Sequence, residues 1–203
     1  MNYLEFYRRW ERQGIVSRNE IMAWCPTFDR NNFTRWVAQG LLLRLRQGWY
    51  GIPDILGRVN YDRVVAERIY RPSYISLHTA LSIYDIIPEA VVQVTCVTSL
   101  KTARFGNAMA QYAYYNVKPQ LMFGYEPVST PDGRTYMLAL PEKALLDLLY
   151  LFPFYNTIEE LKELRLDEDF MTDDLDRERL ACYQQRIGCK ALDSRVKTLL
   201  SLY

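Results

Sequence analysis

Histidine is nearly absent. His78 is the only one among 203 residues, and the four cysteines, Cys25, Cys96, Cys182 and Cys189, form no Cys-x-x-Cys pair. Zinc sites draw on closely spaced pairs of these residue types, so no metal is expected and free, mostly buried thiols are. No run approaches the roughly 18–20 apolar residues that cross a bilayer. The opening "MNYLEFYRRWERQG" lacks the apolar stretch of a signal peptide, so a cytoplasmic location is expected. Gly106, Gly124 and Gly133 stand isolated and make no phosphate loop, and no serine sits in a Gly-x-Ser-x-Gly elbow.

Catalytic groups are equally thin. Pro131-Asp132 followed by Glu142-Lys143 faintly resembles a metal-dependent nuclease signature. Glu142 and Lys143 are adjacent, however, and would point to opposite faces of a strand, while Asp132-Gly133 is a good turn signal. His78 has apolar neighbours and no identifiable orienting partner, so a structural histidine is expected. The expectation is a protein that is no enzyme and carries no cofactor.

What is present is an ordinary globular composition, 49% hydrophobic and 24% charged, long enough for one large domain or two small ones. Sixteen tyrosines, scattered through apolar segments, read as packing residues. The net charge of +1 hides an asymmetry. Residues 1–58 hold nine arginines against five acidic residues, a net of +4, while residues 159–178 hold ten acidic residues against three basic ones, a net of −7. Only the first segment is suited to a polyanion.

That segment reads as three short helices and a hairpin. Leu4, Phe6, Tyr7 and Trp10 give the first helix an apolar side. Ser17 with Glu20 three residues later forms a capping box for the second, with Ile21, Met22 and Trp24 expected to be buried and Cys25-Pro26 ending it. A third helix runs from about Asp29 or Arg30 to Gln39, with Gly40 beyond it. There Phe33, Trp36 and Val37 share the core face, leaving Asn31, Asn32, Arg35 and Gln39 outward and Thr34 near the boundary. "LLLRLR" and "WYGI" flank Gln47-Gly48 as a tight hairpin. This is the order of a winged helix-turn-helix, whose outward Asn, Gln and Arg reach base edges while wing arginines reach phosphates. Winged domains that bind only protein share the order, so a protein-interaction module using this unit and the acidic segment is the alternative.

A boundary is expected near Gly57, giving 1–57 and 58–203. Helices follow in "YDRVVAERIY" and in "SLHTALSIYDII", the latter with Ser76 as cap and a stripe of Leu77, Ala80, Leu81 and Tyr84. "AVVQVTCVTS" reads as a buried strand, and "QYAYYNVK", "QLMFGYEPV" and "TPDGRTYMLAL" as further strands. "PEKALLDLLYLF" is a helix with Leu145, Leu148, Leu149 and Phe152 inward and a Lys143–Asp147 pair on its surface. The remainder is helical around an acidic connector. The fold class is therefore α+β, with an N-terminal winged helix-turn-helix, a mixed α/β domain and a helical C-terminal part.

Three stretches, "VSRNEIMAWCPTFDRNNFTRWVAQGLLLRLRQGWYGIP", "YISLHTALSIYDIIPE" and "RTYMLALPEKALLDLLYL", resemble in order and spacing the AbiE-type antitoxin and transcriptional-regulator family of abortive-infection, type IV toxin–antitoxin systems. The resemblance extends to about Leu151. It implies a winged helix that represses its own promoter by binding inverted repeats in double-stranded DNA, as a dimer or as monomers assembling there. It also implies a second domain that counters a nucleotidyltransferase-type toxin without a stable complex. The DNA-binding positions it implies are Arg30, Asn31, Asn32, Thr34 and Arg35 on the third helix and Arg44, Arg46 and Gln47 in the wing. Ser17 and Arg18 would touch phosphate.

Overall fold

The computed structural model describes residues 1–203. Its first part runs α1 (Tyr3–Trp10), β1 (Ile15–Ser17), α2 (Arg18–Trp24), α3 (Asn31–Ala38), β2 (Leu43–Arg46), β3 (Trp49–Gly51) and α4 (Pro53–Leu56). The capping box at α2 is present: Ser17 Oγ accepts from the Glu20 N–H, and the Glu20 carboxylate accepts from the Ser17 N–H. A second one, formed by Asn2 and Glu5, starts α1. The expected hairpin closes at Gln47-Gly48, where Gly48 takes the positive φ of +77° that this turn needs. Strand β1 went unforeseen and makes the hairpin a three-stranded antiparallel sheet of order β1-β3-β2.

The core of this part is aromatic. Phe28, in the connection between α2 and α3, lies 4.8 Å from Phe33 and 5.7 Å from Trp36 between ring centroids, and Phe33 stacks on Tyr50 of β3 at 4.4 Å and 6°. Those contacts seat α3 on the sheet. Three expected core residues lie elsewhere: Leu4 and Trp24 are exposed and Met22 is half-buried. The short helices bury narrow stripes, so Phe6, Trp10 and Ile21 suffice to fill them.

The second part adds α5 (Tyr61–Ile69), β4 (Ser73–Ile75), α6 (Leu77–Ile83), β5 (Gln93–Thr98), β6 (Ala103–Gly106), β7 (Gln111–Asn116), β8 (Tyr125–Ser129), β9 (Thr135–Ala139), α7 (Pro141–Leu151), α8 (Ile158–Lys162), α9 (Arg177–Ile187) and α10 (Lys190–Leu200). Its six strands form one mixed sheet of order β6-β7-β5-β4-β9-β8, parallel at β5/β7 and β4/β9 and antiparallel elsewhere. The architecture is mixed α and β. "QLMFGYEPV" is a strand only from Tyr125 onward, since Pro119–Leu121 forms a 3₁₀ turn. The acidic connector holds its own structure: α8, a π-type turn at Phe170–Asp174, and Leu161, Leu164, Leu166, Met171 and Leu175 buried. Of the thiols only Cys96 is buried, and Cys182 is exposed.

The buried side chains form one continuous cluster from Phe6 to Leu199, crossing the expected boundary near Gly57. Polar contacts close the same seam. Asp132, between β8 and β9, meets Arg58 at 3.0 Å and Arg134 at 3.2 Å, and Arg134 donates to the Gln13 carbonyl. The Thr130 hydroxyl, with Arg58 and Arg134, holds the Asp132 carboxyl down at about 2. Arg68 of α5 reaches Glu20, the capping residue of α2, at 2.5 Å. Gly14 is required where the parts meet: it has φ +71°, and a Cβ there would lie 2.5 Å from Ile55 and from the Tyr61 hydroxyl.

Helix α7 has no wet face over its first two turns, because every residue from Glu142 to Leu149 is buried. The Lys143–Asp147 pair, expected on the surface, therefore lies inside, with Lys143 fully buried. Asp147 accepts from Lys143, from the Tyr74 hydroxyl at 2.8 Å and from the Ser76 hydroxyl at 2.8 Å, while Lys143 also donates to the Tyr74 oxygen. Ser76 thus spends its hydroxyl on Asp147 and does not cap α6. Tyr125 stacks on Tyr74 at 4.4 Å, and burial first, then the neighbouring carboxylate, pushes the Tyr74 phenol well above its ordinary value. Removing one partner leaves a buried charge alone, so Lys143→Ala is expected to cost about 3–5 kcal/mol in denaturant unfolding. Combining Lys143→Met with Asp147→Asn should recover part of this, since an amide oxygen still accepts from Tyr74 and Ser76. A loss below about 1 kcal/mol for the single variant would contradict the buried pair.

Candidate nucleic-acid interface

Helix α3 presents a polar stripe at helical spacing. Asn31, Thr34, Arg35 and Ala38 are exposed, while Asn32, Phe33 and Trp36 are buried. Asn32 is a correction to the expected outward set. At 5% exposure its amide lies against the helix, where Oδ1 accepts from Arg35 Nη2 at 2.6 Å. It faces inward because it lies next to Phe33 on the core side of the first turn, and its remaining role is to hold the Arg35 guanidinium. Arg30 precedes the helix, exposed and without a side-chain capping bond, and the Asn31 N–H donates to Asp29.

The hairpin tip folds back onto the start of α2. The Arg18 N–H donates to the Gly48 carbonyl at 2.7 Å, and a groove of about 340 Å³ is lined there by Ser17, Arg18, Asn19, Gln47, Gly48 and Trp49. The fold thus brings together three of the expected residues, Ser17, Arg18 and Gln47, from two separate stretches. Asn19, exposed at the same groove, was missed, because an asparagine inside a helix carries no signal of its own. Ser17 keeps its hydroxyl proton for donation, since its oxygen acts as acceptor in the cap.

Arg44 and Arg46 part company. Strict alternation would set both on one face. The register shifts between them, with Arg44 opposite Tyr50 and Arg46 opposite Trp49, and this irregularity re-aims the second side chain. Arg44 is exposed. Arg46 is turned into the seam, its guanidinium carbon 4.6 Å from the Tyr70 ring centre and 4.8 Å from that of Phe105, donating to the Ile69 carbonyl at 2.9 Å. The expected phosphate contact by Arg46 is therefore corrected to a contact between the two parts of the chain.

Electrostatically the surface is open. Arg18, Arg30, Arg35 and Arg44 are exposed and none lies within ion-pair distance of a carboxylate, whereas Arg58 and Arg68 at the seam are paired. Free guanidiniums on one small unit are what a polyphosphate backbone attracts. The residues weighed for catalysis stand apart in different surroundings: Asp132 is in the seam, and buried Glu142 accepts from Arg179 and from the Asp176 N–H. No group of three or more His, Cys, Asp or Glu side chains is arranged to hold a metal ion. No helix is long and apolar enough to cross a membrane.

Compared with known proteins, the chain matches no protein-family model and no curated protein.

Arg46→Ala is expected to lower unfolding free energy by about 1–2 kcal/mol through the lost stacking and hydrogen bond. Arg44→Ala should stay within about 0.5 kcal/mol of the parent. Equal stability of the two variants in urea titrations would contradict the seam role of Arg46.

Proposed function

We propose that residues 1–57 act as a winged helix-turn-helix that binds double-stranded DNA, and that the chain is an autorepressor and antitoxin of the AbiE type. The observation that carries the DNA reading is the set of exposed arginines without a carboxylate partner, Arg18, Arg30, Arg35 and Arg44, gathered at the start of α2, on and before α3 and on β2 of one helix–sheet unit. In that unit Arg46 is turned inward, and Arg8, Arg9 and Arg12, in and just after α1, are also exposed. In this reading α3 enters the major groove. Asn31, Thr34 and Arg35 meet base edges, and Asn32 fixes the direction of Arg35. Arg18, Asn19, Arg44 and Gln47 contact phosphates beside the groove. Inverted repeats in the chain's own promoter would take two copies, one for each half-site.

The antitoxin assignment rests on the resemblance of the three sequence stretches alone. It casts residues 58–203 as the part that counters a nucleotidyltransferase-type toxin without a stable complex, in the cytoplasm.

The test is fluorescence anisotropy against the DNA upstream of the gene, with a scrambled duplex as competitor. Arg35→Ala is expected to weaken specific binding by about 1–3 kcal/mol and to narrow the gap between the two duplexes. Arg44→Ala should weaken both duplexes alike and lower the salt slope by about one. Absence of binding to either duplex at low salt would overturn the DNA reading. A pull-down partner lost on altering Arg35 or the segment from Glu159 to Glu178 would then favour the protein-interaction module.

A further inference from the structure

On the second part of the chain, a cavity of about 490 Å³ opens between β5, β7, α6 and the stretch following α7, a volume within the usual range for small-molecule sites. Its wall is aromatic. Phe152 lies edge-on to Tyr115 at 5.2 Å and 76°, and 6.0 Å from the His78 ring, with Tyr155 on the same wall. Two carboxylates, Glu89 and Glu163, complete the lining.

Three polar groups at this cavity, on half-buried His78 and Tyr155 and on exposed Glu163, make no bond within the fold. Neither ring nitrogen of His78, nor the Tyr155 hydroxyl, nor the Glu163 carboxylate hydrogen-bonds to another side chain or to the backbone, although each lies in a chain otherwise rich in such bonds. His78, expected to be structural, is held at the cavity by Leu77, whose positive φ of +60° turns the chain sharply from β4 into α6. Burial lowers the imidazole below its ordinary value, so it adds no positive charge at neutral pH. Glu89 is partly offset by Arg165 at 3.2 Å on the exposed rim, and Glu163 has no cationic partner.

We infer that this cavity is a binding site for a small organic cation with a flat body, such as an amidinium or guanidinium, lying against the Phe152 and Tyr155 rings and paired with Glu163. The Tyr115 ring is engaged by Phe152 and by Arg104. Aromatic faces attract a cation and a carboxylate at the rim orients it, whereas the same carboxylates repel an anion. A neutral aromatic amide of the same shape keeps the stacking and loses the charge pairing.

Isothermal titration of the full chain with benzamidine, benzamide and benzoate separates these contributions. Benzamidine should bind saturably with one site, at least about tenfold more tightly than benzamide, and benzoate should not bind. Glu163→Gln should weaken benzamidine at least about fivefold, leave benzamide unchanged and leave the thermal midpoint unchanged, because the exposed Glu163 side chain makes no bond within the fold. No saturable benzamidine binding, benzamide binding as tightly, or insensitivity to Glu163→Gln would each overturn the inference.

Discussion

Arg46 lies beside the rings of Tyr70 and Phe105 and donates to the Ile69 carbonyl, and with the apolar core that runs across the seam it holds the first 57 residues against the rest of the chain. A guanidinium taken from water must be stacked and hydrogen-bonded elsewhere, so the shift in register at the hairpin commits Arg46 to the neighbouring sheet. Arg58, Arg68 and Arg134 obey the same requirement along the seam, each meeting a carboxylate. The result is a division among arginines of one composition: those at the seam are satisfied by the protein, and those on α3, at the start of α2 and on β2 face water unpaired.

The same requirement operates more severely in α7. Lys143 is fully buried beside Asp147, and only the convergence of Tyr74, Ser76 and the lysine on one carboxylate makes that position tolerable. Because Tyr74 and Ser76 flank the turn from β4 into α6, this network joins α7 to the middle of the six-stranded sheet. It also fixes the turn that delivers His78 to the aromatic cavity. The acidic segment, anchored by five buried apolar side chains, keeps its carboxylates on the outside, and Glu163 is the one that lines the cavity.

Local signals were legible in the sequence. The Ser17–Glu20 cap, the Phe33–Trp36 face of α3, the Gln47-Gly48 turn and the span of α7 all follow from spacing of a few residues, and the structure places them as read. Strands β1, β4 and β6 were not legible, since three or four residues give no period and their existence depends on partners far along the chain. The inward turn of Asn32 and the re-aiming of Arg46 were hidden for a related reason. Polarity predicts exposure on average, but hydrogen bonding to Arg35 and stacking on Tyr70 are tertiary facts. Helix α7 misled in the same sense: an i, i+4 ion pair usually marks a surface, and only the packing of α6, α9 and α10 around the helix buries this one. Of the ten candidate DNA contacts, Asn32 is buried and Arg46, half-buried at a groove along the seam, is engaged by the Ile69 carbonyl and the Tyr70 and Phe105 rings; the other eight remain on open or groove-lining positions.

In the proposed reading, α3 and the hairpin tip form the surface that meets duplex DNA. Amide hydrogen exchange of the full chain, free and bound to the duplex upstream of its gene, tests it most directly. Slowed exchange confined to Asn31–Ala38 and to the hairpin around Gln47, with the segment from Glu159 to Glu178 unchanged, is the predicted result. Slowing on the acidic segment with α3 unchanged would contradict the account.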